Sequence, residues 1–187
     1  MHVSHHSKRH ESLARELSNL AVRALYFEVK SHPKPGLVSF ISKGAHDDMH
    51  GGLFYRSLCA LRHYFYALVR QDEAGASFAE LKQLAIRAEQ TMLVATEGVN
   101  THRGALFALG LVIVSVSRLL RNAQELRPID VHNAIKMDWH EHLNQHQPDF
   151  TSHGSLVRQR FVIVGAKEVA MQGYPMVFEH LTPFLQL

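Results

Sequence analysis

Apolar residues recur every three or four positions along almost the whole chain, and that spacing leaves little choice of architecture. Leu13, Leu17, Leu20, Ala21, Ala24 and Leu25 follow the i, i+4, i+7, i+8 rule, so an amphipathic helix is predicted over roughly 8–30. Glu28 extends the stripe and should face inward or into a cleft. Phe54, Leu58, Leu61, Phe65 and Leu68 predict a second helix. Ser77 and Glu80 form a capping box ahead of Leu81, Leu84, Ala88, Met92 and Ala95. Gly98 is a stop signal, and Asn100 or Thr101 caps the next, most apolar helix, which runs through Leu120. Pro128 and Asp130 open a polar helix containing Trp139. Thr151 or Ser152 caps another, ending near Gly173 and Pro175, and a short helix closes the chain. Val162-Ile163-Val164 lies inside a helical period, and no strand pairs stand out. The expectation is an all-α fold, a single bundle of six or seven helices with a long irregular loop after the first. A mobile tail, 1–10, is expected ahead of one domain, 11–187.

Composition narrows the function classes. With 46% hydrophobic and 20% charged residues the chain is globular, and its single Cys59 excludes a disulfide framework or a cysteine-based zinc site. A net charge of +3 is too small to demand nucleic acid. Fifteen histidines mean that acid should stress the fold. The apolar run Gly104 to Ser117 is closed by Arg103 and Arg118; at about 14 residues it is short of the ~20 that cross a bilayer, and reads as a core helix. No apolar leader precedes it, so a cytoplasmic protein without membrane partners is expected. His140, His142 and His146 lack the glutamate of a zincin motif and read as solvated surface.

Four polar stretches could carry chemistry. In Pro33-Lys34-Pro35-Gly36 the prolines stiffen the chain, Gly36 permits a positive φ, and Lys34 is presented as a point charge suited to phosphate. A rigid turn with a solvated lysine has the same signature. Gly44-Ala45-His46-Asp47-Asp48-Met49 places a histidine and two carboxylates on a glycine-flanked loop. Such carboxylates hold Mg²⁺ with ligand phosphates or act as a general base, and equally cap a following helix. Glu97-Gly98-Val99-Asn100-Thr101-His102-Arg103-Gly104 ends one helix and starts the next. Free N–H groups there form an anion site to which Arg103 adds charge; two caps back to back are the plain alternative. Thr151-Ser152-His153-Gly154 echoes this pattern, with Glu168 downstream on an apolar face.

These stretches belong to a longer ordered series: Glu28, Pro33 to Val38, Gly44-Ala45-His46 with Asp48-Met49, Phe54 and Ser57. It continues with Glu89, Met92-Leu93, Ala95-Thr96, Gly98 to Ala105, Phe107 and Leu109 to Leu111. It resumes with Ser152-His153-Gly154, Gly165-Ala166, Glu168 and Gly173-Tyr174-Pro175. The series resembles the triphosphoribosyl-dephospho-CoA synthase family over nearly the whole chain after the tail. The Thr96 to Phe107 stretch is most similar to the malonate-decarboxylase branch, with the citrate-lyase branch as alternative.

The resemblance implies an all-α enzyme that joins ATP to 3′-dephospho-CoA. The ribose 2′-hydroxyl of dephospho-CoA attacks C1′ of the ATP ribose and adenine leaves. The product is the prosthetic-group precursor that a downstream holo-acyl-carrier-protein synthase step consumes. Such chemistry needs a base, a carboxylate beside the oxocarbenium-like sugar, a hydrogen bond to adenine, and cations and N–H groups for the triphosphate. On this reading Lys34, Arg103 and the helix starts at Asn100, Thr101 and Gly104 and at Ser152 and Gly154 take the triphosphate. Gly36, His46 and Glu168 join them in binding substrate. Asp48 with Glu28 holds Mg²⁺; Glu28, Asp48 or Glu97 is base or cation stabiliser; His102 or His153 meets adenine.

The chain departs from the family pattern in three places, one of them Met171-Gln172, which replaces a typically small-residue stretch. Family members run longer, with an Asp-Ser/Thr-Asn motif and an Arg-Gly that have no counterpart here, and close relatives often carry glycine where Glu97 stands. The alternatives are a shortened relative that only binds nucleotide and an unrelated helical protein for metal or RNA. A shortened bundle exposes apolar surface, so association into homo-oligomers is expected.

Overall fold

The computed structural model describes residues 3–122, 126–145 and 165–182. Among them the protein is all-α, without a strand. Its helices are α1 (Val3–Lys30), α2 (Gly51–Leu61), α3 (Tyr64–Glu73), α4 (Phe78–Ala95), α5 (Arg103–Arg121), α6 (Pro128–Gln145) and α7 (Ala166–Met171). A π-helical turn, Met176–Leu181, follows α7. The chain separates into two compact units, residues 1–117 and 118–187. Helix α1 begins at Val3, so it takes in residues the sequence reading left to a tail. Of the helix expected from Ser152 to Gly173, only α7 falls within the described residues.

In the first unit α1 packs on α2 and α3, and α4 on the same pair. The buried line of α1 is Ala14, Leu17, Ala21, Leu25 and Val29. It lies one residue round from the expected stripe, because Val29 rather than Glu28 takes the core position. Leu20 is half-exposed and the Glu28 side chain faces solvent. The helix expected through Phe54 to Leu68 comes as two, broken at Arg62 and His63. The Arg62 carbonyl accepts the Ser18 hydroxyl of α1 at 3.1 Å, a bond that ties the break to its neighbour. Leu58, Leu61, Phe65 and Leu68 still point inward, and Phe65 is fully buried. The capping box is present: Glu80 accepts from the Ser77 N–H at 2.8 Å while the Ser77 hydroxyl accepts from the Glu80 N–H.

Helix α5 runs further than the apolar stretch that defines it, taking in Arg103 at one end and Arg118 and Arg121 at the other. By length and composition alone this 19-residue helix could cross a bilayer, which corrects the 14-residue reading. A core helix passes the same test, and Leu106, Leu111, Ile113 and Val114 are buried within the protein. At Gly110 an added Cβ would meet the Tyr64 hydroxyl at 2.8 Å, so the missing side chain is what makes room for that ring.

In the second unit the buried face of α6 is Val131, Ile135, Trp139 and Leu143, packed on α7 and the π-helical turn. The Arg118 guanidinium lies 4.8 Å from the Trp139 ring centre and pairs with Asp138 at 3.1 Å. Buried His132 bridges the Gly173 carbonyl at 2.9 Å and the Glu179 carboxylate at 3.0 Å. His140 is exposed, as expected, though its ring also reaches the Met171 carbonyl.

The irregular loop from Ser31 to His50 is knitted rather than slack. Lys34-Pro35-Gly36-Leu37 is a turn closed by the Leu37 N–H on the Lys34 carbonyl at 3.1 Å, with Gly36 at φ 75°. Proline second and a left-handed glycine third define a type II turn. The Ala45 N–H then bonds the Gly36 carbonyl at 3.2 Å. Gly44, at φ 61°, lies so close that a Cβ would sit 2.6 Å from the Gly36 and Leu37 carbonyl oxygens. Buried Ser39 holds the turn between, its hydroxyl accepting the N–H groups of Ile41 and Ser42. Gly44→Ala should therefore cost more than the roughly 1–2 kcal/mol of left-handed strain alone. Gly75→Ala, at φ 84° with open space round it, should cost about that strain and no more. Urea unfolding followed by circular dichroism compares the two; equal costs would show that the loop can relax.

Candidate functional site

Residues from three elements of the first unit come together around the start of α5. Lys34, carried by the type II turn, folds back onto the C-terminal end of α1. Its ammonium donates to both the Glu28 carboxylate and the Glu28 carbonyl at 2.6 Å. That end of a helix is the negative end of its dipole, so a cation there is doubly favoured. Lys34 and Glu28, predicted for separate tasks, are one ion pair, with the lysine side chain 13% exposed and the glutamate 51%.

His102 sits just ahead of α5 and is 3% exposed. Its Nδ1 lies 2.6 Å from the hydroxyl of Ser57, a fully buried α2 residue. The Phe54 ring meets the imidazole edge-on, with centres 4.9 Å apart. Among the described residues the buried His102 Nε2 has no hydrogen-bond partner, and neither has the hydroxyl of the preceding Thr101. Burial pushes the imidazole down to about 4, and the nearby Glu28 charge pulls it partly back. The ring is therefore neutral at pH 7.

Asn100 accepts the Arg103 N–H at 3.2 Å, as a cap for α5 should. The Arg103 guanidinium pairs with Glu89 of α4 at 2.5 Å. Gly104 is exposed, and nothing stands within 4 Å of where its Cβ would be. The first N–H groups of a helix have no partner inside it, so this end of α5 is open to an anion.

Glu97 and Asp48 fare differently. Glu97 is in the left-handed region at φ 57°, and its exposed carboxylate pairs with Arg56 at 2.9 Å. Asp48 is exposed on the segment leading into α2, two residues before His50, whose ring nitrogen caps that helix. His46 is half-buried nearby in sequence. Among the described residues no three His, Cys, Asp or Glu side chains converge as a ready cation cage. Mg²⁺ does not require one, since it takes one or two carboxylates and the ligand's own phosphates. Asp48, exposed and without an ion pair, fits that habit; Glu28 is engaged by Lys34. Glu168 belongs to the second unit, and Ser152, His153 and Gly154 lie outside the described residues.

Residues 14–187 match the family model described as CitG: ATP:dephospho-CoA triphosphoribosyl transferase. The chain belongs to this family. A probable 2-(5''-triphosphoribosyl)-3'-dephosphocoenzyme-A synthase of Acinetobacter calcoaceticus is 35% identical over 97% of this chain and 60% of its own length. Proteins of the same name are 40% identical in Stutzerimonas stutzeri, over 93% of this chain and 60% of theirs, and 42% identical in Pseudomonas putida, over 94% and 62%. The chain thus spans about 60% of the length of the curated relatives it matches. No solved structure matches it.

The motif series that suggested the CitG family is thereby borne out, and the geometry adds pairings that spacing alone missed. Ser57 and His102 stand 45 residues apart, and nothing in the local pattern joins them. Arg56 and Glu97 are separated by 41. The backbone at position 97 is of the kind that suits glycine, since its φ is left-handed. Glu97→Gly should relieve roughly 1 kcal/mol of strain while losing an exposed ion pair worth about 0–1 kcal/mol. The thermal midpoint should stay level or rise slightly; a drop of many degrees would give Glu97 a larger structural part.

The depressed His102 also fixes a pH dependence. Above its ordinary value of 6.5 the group is neutral in both folded and unfolded chains. Between 6.5 and about 4 the unfolded chain takes a proton that the buried site refuses, so stability falls as pH falls. The loss reaches roughly 3 kcal/mol at the lower end. Urea unfolding at pH 7 and pH 4.5 should show a smaller drop for His102→Asn than for the unchanged protein. Equal drops would assign the acid sensitivity to other histidines.

Proposed function

We propose that this chain carries the ATP-handling part of a transferase that moves the triphosphoribosyl group of ATP to the ribose 2′-hydroxyl of 3′-dephospho-CoA. The match across residues 14–187 carries this reading. The site supports it: an open helix start, two nearby cations and a buried histidine answer the needs of a triphosphate and a departing purine.

In this reading the 2′-hydroxyl oxygen forms the bond to C1′, the C1′–N9 bond breaks, and adenine takes the electron pair. Lys34 and Arg103 exchange their carboxylate partners for phosphate oxygens, while the Gly104 end of α5 offers N–H groups. Glu28, released by Lys34, steadies the positive sugar. Asp48 would hold Mg²⁺, whose charge would offset that of the triphosphate. His102 meets the purine. The motif between Thr96 and Phe107 favours the prosthetic group of malonate decarboxylase, with citrate lyase the alternative. The substrates place the reaction in the cytoplasm, and a holo-acyl-carrier-protein synthase step would consume the product.

Protein mixed with ATP, Mg²⁺ and 3′-dephospho-CoA should release adenine and product in equal amounts. Asp48→Asn should lower the rate at least tenfold and raise the Mg²⁺ requirement. Unchanged Mg²⁺ dependence in that variant would remove Asp48 from the site. ATP binding without turnover would instead support a part that binds nucleotide only.

A further inference from the structure

The buried contact between Ser57 and His102 settles more than where the ring sits. Ser57 is fully buried on α2, and among the described residues its hydroxyl has one hydrogen-bond partner, His102 Nδ1 at 2.6 Å. A buried hydroxyl proton that found no acceptor would cost about 1–3 kcal/mol. With Nδ1 protonated, both that hydroxyl proton and the Nε2 lone pair would go unmet; with the hydroxyl donating to the Nδ1 lone pair only one group, the Nε2–H, is left, so the contact favours a proton aimed at Nδ1. An imidazole that accepts at Nδ1 carries its own proton on Nε2. The Phe54 ring, edge-on to the imidazole, restrains the orientation.

Among the described residues His102 Nε2 has no hydrogen-bond partner, in a side chain 3% exposed. Buried N–H groups without an acceptor are rare, and where one persists an outside acceptor is the natural explanation. The adjoining Thr101 hydroxyl is buried and unpartnered as well, so two polar groups at one helix start await the same neighbourhood. Among the described residues the Glu28 carboxylate, which Lys34 holds, is the charge that acts on the ring.

We propose that Ser57 is a positioning residue that fixes His102 as the neutral Nε2–H tautomer, and that this N–H donates a hydrogen bond to a ring nitrogen of the adenine being released. The proposal rests on the transferase reading for its ligand and on geometry alone for the tautomer. It gives the histidine a definite task. As C1′–N9 breaks, the bonding pair spreads through the purine and its ring nitrogens become better acceptors. A neutral donor already in place then stabilises the adenine anion without giving up its proton; the proton of the 2′-hydroxyl passes to the carboxylate side, and the released adenine takes one from water. His102 acts as an electrophile, in the way a neutral imidazole can, and not as a proton carrier.

Long-range ¹H–¹⁵N correlation spectra of the unchanged, ¹⁵N-labelled protein at pH 7 read the tautomer directly, with His102→Asn identifying the signals. Nδ1 should be unprotonated and Nε2 protonated, and the Nε2 signal should move when ATP with Mg²⁺ is added. Ser57→Ala should blur the tautomer signature and lower kcat about tenfold with little change in the KM for ATP, and Ser57→Thr, which keeps the hydroxyl, should restore both. A protonated Nδ1 in the unchanged protein overturns the proposal whatever the variants do. ATP that binds by calorimetry while His102 Nε2 stays still overturns the ligand half and leaves the transferase reading intact. Failure to bind ATP at all overturns that reading and the ligand half together, while the tautomer is judged on the spectrum without nucleotide.

Discussion

Two stretches of backbone in the loop after α1 lie closer together than any side chain would permit, and the site is built outward from that contact. Gly44 presses on the Gly36–Leu37 peptide, and Gly51 stands where a Cβ would fall 2.8 Å from the Phe40 Cα. Closing the loop twice does two things. It turns Pro35-Gly36 so that Lys34 lands on the end of α1, and it delivers the chain to the start of α2 with His50 in capping position. Phe54 and Ser57 follow within two turns and meet His102. A residue with a side chain at Gly44 would therefore act on distant groups, although it touches none of them.

Three cations near this loop are matched. Lys34 has Glu28, Arg103 has Glu89 and Arg56 has Glu97. Such pairs, where exposed, are worth about 0–1 kcal/mol each. A triphosphate, with several oxygens and more charge, outbids a single carboxylate at little cost. The arrangement thus keeps cations ordered without ligand and ready to exchange partners. It also means that the Glu28 carboxylate becomes available only when Lys34 has been recruited elsewhere, which couples one half of the proposed chemistry to nucleotide binding.

Helix identity was legible because burial of apolar stripes dominates local structure here, and the stripes are long. The all-α architecture and the Ser77–Glu80 cap follow from it. The break at Arg62–His63 was not legible, since no glycine or proline marks it and its one cross-helix bond comes from Ser18, 44 residues away. Of the two orientations open to Glu28 the inward one fails, because two adjacent lines on α1 are both apolar and only packing decides that Val29 goes inside. The candidate positions were legible as motifs; their pairings were not, because ion pairs and the Ser57–His102 contact join elements that spacing cannot bring together.

Position 97 shows how a residue singled out for chemistry can also have a part in backbone shape. A glutamate beside a glycine-rich helix start invites a catalytic role, yet its left-handed φ and its exposed pairing with Arg56 make the position a matter of backbone shape. Gly98, at φ 88°, continues the same left-handed course. Two successive residues of that kind end α4 abruptly and release the chain through Val99 and Asn100 to begin α5 at once. Thr96, fully buried, braces the turn by donating to the Met92 and Val99 carbonyls. Position 97 therefore serves the turn through conformation, while the proposed reaction would draw on the groups that turn presents: the N–H groups at the start of α5, Arg103, and the buried imidazole of His102.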